Sequence, residues 1–280
     1  MKASQPLARR LGPFGSQAGI TLLAAFWLFP FLWMLSTALK PNAEIFQFPP
    51  RLIGSSIEWG NFPAAWHFVP FGTFMFNGLF VSVAGTAIVL FTSILSAYAF
   101  ARLRFWRRDQ LFLIYLGTLM IPQEVTVVPL FLLMKYLGWV NTYQALILPS
   151  AFTAFGTFLL RQFFLTIPRD FEEAARIDGA TQWQVLWNVI VPMAKPAIAV
   201  LALFTFIAYW NNFLWPLIVG NSREMATVPV GLNLFNGQHG TEWNYMMAAS
   251  TISILPTLLL TMALQKYIIQ GISISGFGGR

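Results

Sequence analysis

Cysteine is absent and histidine occurs only twice. The first absence excludes a disulfide framework and any thiolate metal or redox centre. His67 and His239 fall in predicted outer loops without a cluster of further ligands, so no metal site is expected. Charge is scarce as well: Asp, Glu, Lys and Arg make up 10% of the chain, against 57% hydrophobic residues. A single soluble core of 280 residues cannot bury that much apolar surface, so the natural solvent is lipid. No G-x-x-x-x-G-K-[ST] phosphate loop is present. The nearest stretch, Gly271 to Gly276, runs on into Phe277 and Gly278 and supplies no phosphate-binding lysine, so the chain is not expected to hydrolyse ATP by itself. A G-x-S-x-G elbow is missing too, and catalysis has no visible seat. No cofactor is expected on this chain.

What the sequence does hold is long apolar runs. They lie near residues 17–39, 70–101, 110–135, 140–163, 194–219 and 245–266, each bounded by charge, Pro/Gly or polar turn residues. Continuous Phe, Leu, Ile and Ala in these runs predicts six transmembrane helices in an all-α membrane protein, because barrel strands would alternate over about ten residues. The opening MKASQPLARR ahead of an apolar run has the layout of a signal peptide. Ala18 to Leu39 would nevertheless extend about 33 Å, enough to cross a hydrocarbon core of about 30 Å, and reads as an uncleaved first span. The single GxxxG match, Gly15 to Gly19, lies at the mouth of that span.

Basic residues set the orientation. With the N-terminus inside, the inner segments hold Lys2, Arg9, Arg10, Arg102, Arg104, Arg107, Arg108, Arg161, Arg169, Arg176, Lys195, Lys266 and Arg280. The outer ones hold only Lys40, Arg51, Lys135 and Arg223. This bias predicts cytoplasmic N- and C-termini and explains the net charge of +7 without nucleic acid. The predicted organisation is a cytoplasmic segment 1–16, a six-helix domain 17–271 and a cytoplasmic tail 272–280. Outer connections at 41–69 and 221–245 are too short to fold alone.

The domain includes a charged cytoplasmic hairpin at 168–196. Asp170 with Glu173 and Thr181 with Gln184 read as two capping boxes, and Asp178-Gly179 between them reads as a sharp turn. The first helix offers Ala174 and Ala175 for close approach and Glu172, Glu173, Arg176 and Asp178 for ion pairing. Acid-heavy, it would be repelled by an anionic inner leaflet and suits a protein partner. Polar residues within the spans form a second set of candidates. Glu124, between Pro122 and Pro129, must be paired, protonated or wet, since an unpaired charge at mid-bilayer costs about 3 kcal/mol. Asn77 and the cluster Tyr209, Trp210, Asn211 and Asn212 combine aromatic faces with amides, which suits either helix packing or a sugar path.

The segment EAARIDGA, Glu173 to Ala180, with Pro192 following, resembles the EAA signature of ATP-binding-cassette (ABC) importer permeases. AYAFAR (Ala97 to Arg102), LRQFFLTIP (Leu160 to Pro168), YWNNFLWPL (Tyr209 to Leu217) and QKYIIQG (Gln265 to Gly271) agree in order with the carbohydrate-uptake branch, so the resemblance covers residues 17–271. It implies the type I ABC importer permease fold. Glu173, Ala174, Ala175, Asp178 and Gly179 would couple to a separate ATPase subunit. It also implies a second permease subunit, two ATP-binding subunits carrying ATP and Mg, and an extracytoplasmic solute-binding protein, all at the plasma (inner) membrane of a prokaryote. The solute would be a sugar, polyol or glycerol-phosphate compound. The alternatives are a stand-alone secondary transporter, which would show paired repeats, and a membrane enzyme, which would need a catalytic cluster at one membrane face.

Overall fold

The computed structural model describes the backbone of residues 8–237 and 240–276 and the side chains of 17–236 and 240–267. His239, the first seven residues and the end of the tail at 277–280 lie outside the described residues. Helices follow one another as α1 (Ala8–Ala38), α2 (Asn61–Phe68), α3 (Phe71–Arg102), α4 (Arg108–Gly117), α5 (Gln123–Tyr136), α6 (Tyr143–Ile147) and α7 (Ala154–Thr166). Then come α8 (Asp170–Ile177), α9 (Gln182–Val185), α10 (Val191–Met193), α11 (Lys195–Trp210), α12 (Leu214–Val219), α13 (Val228–Leu232) and α14 (Trp243–Gly276). The chain divides into two units, Met1–Val69 with Leu234–Ser253 and Pro70–Asn233 with Ile254–Arg280.

Among the described residues three helices are long and apolar enough to cross a bilayer unbroken: Gln17–Ala38, Phe71–Arg102 and Trp243–Tyr267. The other three expected spans are broken. Arg108–Met120 and Gln123–Tyr136 meet at 96°, Tyr143–Ser150 and Ala154–Thr166 at 45°, and Gln182–Met193 and Lys195–Trp210 at 79°, giving three to six candidate spans. The first bend has a clear cause: Pro122 forces Ile121 into extended backbone (φ −85°, ψ 114°) and caps α5 itself. Pro129, the proline on the other side of Glu124, sits inside an intact α5. The run expected at 194–219 is also not one helix, since α11 stops at Trp210 and Asn211 to Phe213 separate it from α12.

In the first unit the α1 span turns its side chains outward from Gln17 to Leu32, and only its last turn, Thr37 and Ala38, is buried, so the outward side chains need lipid or another subunit. The connection after it is tightly built. Asn61 Nδ2 donates to Ala38 O (2.9 Å) and Lys40 O (3.1 Å), Asn244 Nδ2 donates to Asn61 Oδ1 (3.1 Å), and Asn42 Nδ2 donates to Glu242 Oε2 (2.9 Å). Lys40 is buried with its amine on Arg51 O, and burial pushes its pKa down.

Glu44 accepts from the Ser55 hydroxyl and from Ser55 N–H (2.9 Å), which hold its carboxyl below the ordinary value of 4.5. A depressed folded pKa stabilises the loop above pH 4.5, and that contribution disappears as pH falls through the folded value. Amide protection factors across residues 41–58 are therefore expected to drop below about pH 4.5 in the wild type, and Glu44→Gln is expected to flatten that dependence. Hydrogen exchange measured as a function of pH checks it.

The second unit is organised on α3. Small residues bring its neighbours close, as membrane helices require where apolar burial alone does not drive association. A Cβ at Gly85 would sit 2.5 Å from the Tyr209 ring of α11, and one at Gly156 of α7 would sit 2.4 Å from Ser93 Oγ. One buried cluster joins Ile94, Ala97 and Ala101 of α3 to Leu160 and Phe164 of α7, to Val185, Leu186 and Ile190 of the hairpin and to Leu201 of α11. A second collects Val81, Val89, Met134, Ile147, Tyr209, Trp215 and Val219.

Candidate functional site: the coupling elbow and the polar mid-chain residues

Between α7 and α11 the backbone makes an elbow. α8 closes with Gly179 N–H donating to Arg176 O (3.0 Å) and Ala180 N–H to Ala175 O (2.9 Å), the paired bonds of a Schellman end. Gly179 takes φ +86°, as the Asp-Gly pair predicts, and a Cβ there would meet nothing within 4 Å. Backbone conformation, not crowding, is what demands glycine. The expected second capping box forms: Thr181 N–H donates to Gln184 Oε1 (2.8 Å) and Gln184 N–H to Thr181 Oγ1 (3.3 Å). That helix does not stop where a short arm would, but runs through a π-turn, Leu186–Ile190, into α10. The expected first box does not form. Arg169 already has helical backbone (φ −68°, ψ −24°) and occupies the cap position without a side-chain bond, so Asp170 is one step inside the helix.

Of the residues expected to meet a partner, Glu173, Ala174, Arg176, Asp178 and Gly179 are exposed, and Ala175 is half-buried against the α3–α7–α11 cluster. Glu172 points the other way. Its side chain is 5% exposed and contacts Arg102 Nε at 2.6 Å, off the hydrogen-bonding axis, with Arg102 itself 4% exposed. Arg102 Nη2 donates to Phe164 O, in the last turn of α7, and to Ile167 O, just past its end (both 2.7 Å), where a cation also meets the negative end of the helix dipole. Arg176 approaches the other Glu172 oxygen at 3.8 Å. One guanidinium thus ties the ends of α3 and α7 to the elbow. In the sequence Arg102 reads only as topological charge. Its position at the end of the small-residue stretch AYAFAR was the available signal.

Ile177 was missed as well. It is 86% exposed beside Glu173 and Ala174 on the outward face of α8, and Trp183 (57% exposed) stands on the next arm, edge-on to Trp187. An isoleucine bared in a polar helix suits a pocket on another protein.

The mid-chain polar residues divide. Asn77 is buried and its amide is fully used: Nδ2 donates to Glu224 O (2.6 Å) and Ala226 O (2.9 Å), and Oδ1 accepts from the Tyr143 hydroxyl (2.6 Å). Tyr209 is buried with its hydroxyl donating to Ile147 O (2.8 Å). Trp210 is buried, stacked on Phe206 and pressed against Gly78, where a Cβ would come within 3.0 Å of its ring. Tyr209 and Trp210 thus pack on α3 at Gly85 and Gly78, and Asn77 ties α3 to the 224–226 segment and to Tyr143. Asn211 is exposed, and Asn212 is half-buried with its Oδ1 accepting from Trp215 N–H (3.4 Å) at the start of α12. Glu124 is exposed in the first turn of α5, just past the 96° bend. His67 is exposed, its Nδ1 2.7 Å from Pro63 O.

A chain of bent apolar helices carrying a charged elbow on a buried ion pair has known counterparts. Residues 89–274 match the family model described as the binding-protein-dependent transport system inner membrane component. The chain belongs to that family. It is 36% identical over 253 residues (88% of this chain, 90% of the relative) to the sn-glycerol-3-phosphate transport system permease protein UgpE of Pectobacterium atrosepticum. Against the arabinooligosaccharides transport system permease protein AraQ of Bacillus subtilis it is 32% identical over 269 residues (92% and 93%). Among solved structures it resembles a chain of a bacterial ABC transporter involved in the import of the acidic polysaccharide alginate, with a TM-score of 0.83, 26% identity and coverage of 96% of this chain and 100% of that one. The permease is therefore a membrane-spanning transport component of an ABC importer, not an enzyme and not a stand-alone transporter. The family match contains α8 and the whole elbow.

Proposed function

We propose that the permease forms one half of a translocation path through a prokaryotic plasma membrane, with six spans, the fifth of them α11 with α12, and both termini cytoplasmic. A second, different permease subunit supplies the other half. Two copies of an ATPase subunit bind ATP and Mg beneath them, and a solute-binding protein docks outside. Residues 17–271 act as one translocation domain, the hairpin at 168–196 is its cytoplasmic handle, and 1–16 and 272–280 are tails. The solute is a carbohydrate or glycerol-phosphate compound, a reading supported by the names of the relatives at 32–36% identity. Asn77, Tyr209 and Trp210, already occupied within the fold, serve by holding α3 against its neighbours, while the exposed Glu124 and Asn211 and the half-buried Asn212, at helix breaks, are the groups that meet solute.

The observation that carries the reading is the two-sidedness of α8: Glu172 anchors one face to Arg102, and Ile177 stands bare on the other. Closure of the ATPases would pull on Glu173, Ala174, Ile177 and Asp178, and the ion pair would pass that movement to α3 and α7. Ile177→Asp tests this. A desolvated apolar anchor is worth about 2 kcal/mol or more, so binding of the ATPase subunit is expected to weaken about 30-fold, and uptake with it, while the permease still reaches the membrane. Unaltered ATPase retention and uptake would sink the coupling role of this face.

A further inference from the structure

The loop between α3 and α4 and the start of the elbow enclose an open cavity of about 540 Å3 that coupling leaves unused. Arg104, Arg107, Arg108 and Arg169 line it together with Phe105 and one carboxylate, Asp109. Asp109 is already engaged, accepting from Arg108 Nε (3.0 Å) and lying 3.7 Å from Arg161. Arg104, Arg107 and Arg169 make no ion pair among the described residues, so three cations converge without a counter-charge. Arg107 is held there in left-handed backbone, φ 53°, which arginine rarely adopts, with its guanidinium 4.1 Å over the Trp106 ring. Trp106 is 75% exposed, and the adjoining α4 turns Leu113 and Ile114 outward at 67% and 70%.

Arginines beside an outward tryptophan, at the foot of an apolar helix, suit the boundary between headgroups and acyl chains. We propose that this cavity binds the phosphate of an anionic phospholipid, of the phosphatidylglycerol or cardiolipin class, in the inner leaflet. The guanidiniums pair with the phosphate oxygens, and the exposed α4 face lies along the acyl chains. Because Arg169 caps α8, the bound phosphate joins the α3–α4 loop to the root of the elbow and removes the repulsion among the three cations. This placement rests on the proposed cytoplasmic orientation of the loop.

The complete importer, carrying wild-type permease, Arg104→Gln/Arg107→Gln or Lys135→Gln, is equilibrated with equal phosphatidylglycerol and phosphatidylcholine, and retained lipid is read by native mass spectrometry. Wild type and Lys135→Gln are expected to keep phosphatidylglycerol in preference. The double variant is expected to lose about 25-fold of that preference, about fivefold per arginine, and each single variant gives its fivefold if the double does not assemble. Equal retention of both lipids by wild type, or unchanged selectivity in the variants, overturns the site. Complete displacement by inorganic phosphate assigns it to free phosphate and overturns the lipid reading. Cross-links from the cavity to carboxylates of the ATPase subunit in wild type would overturn it in favour of a protein partner. Lost lipid selectivity with normal ATPase retention leaves the coupling role of Ile177 intact, so the two readings fail separately.

Discussion

Glu172→Ala is expected to destabilise the permease by about 3–5 kcal/mol and to abolish coupled uptake, because it leaves the Arg102 guanidinium buried with no anion. Two carbonyls, of Phe164 and Ile167, remain on Arg102, but they answer one of its nitrogens, and the partial charge of a helix end does not replace a full anion. The elbow loses its buried ion pair to α3 at the same time, since Arg176 reaches Glu172 and not Arg102. Glu172→Gln keeps an acceptor near Arg102 and is expected to cost less than Glu172→Ala. The double change Arg102→Met/Glu172→Leu, which removes both charges and fills the space with apolar side chains, is expected to recover most of the thermal stability. The measurement is the unfolding midpoint of the assembled complex, with protease cleavage at residues 168–181 reporting whether α8 has come away. Equal midpoints for wild type and Glu172→Ala would show that the ion pair does not hold the elbow.

That pair also marks where sequence reasoning stopped. The elbow's shape was legible because its determinants are local: Gly179 must take positive φ, and Thr181 reaches only as far as Gln184. Which side of α8 faces inward was not, because inward positions are recognised by being apolar, and here the inward residue is a glutamate paired with an arginine 70 positions earlier. Ile177, the most apolar exposed residue of the helix, was overlooked for the converse reason. The spans show the same division. Run length revealed apolar stretches, but hydropathy carries no backbone geometry, so Pro122 at a 96° bend and Pro129 inside an intact helix looked alike. Asn77 announced that it needed partners without saying that they are carbonyls nearly 150 residues away.

Gly85→Val is expected to be the most damaging single change within the spans. A Cβ at residue 85 would lie 2.5, 2.6 and 2.9 Å from three atoms of the Tyr209 ring, and a branched side chain adds two methyl groups to that overlap. The ring cannot swing aside cheaply, since its hydroxyl donates to Ile147 O across the second core cluster and it packs with Val81, Val89 and Trp215. Overpacking of this kind costs about 1–3 kcal/mol even when helices shift to absorb it, and valine here should reach the upper end. A shift of α3 away from α11 would also disturb Gly78 against Trp210 about two turns earlier, so strain at one glycine spreads along the whole contact. Tyr209→Phe separates the two contributions: it removes the hydroxyl's bond, leaves the ring, and should cost only about 1 kcal/mol with solute preference unchanged. Gly85→Ala combined with Tyr209→Leu should recover part of the stability lost in Gly85→Ala alone, because the shortened side chain vacates the space the new methyl needs. If Gly85→Val assembles and transports as wild type does, α3 and α11 are not locked at this point, and the helices can part there during the transport cycle.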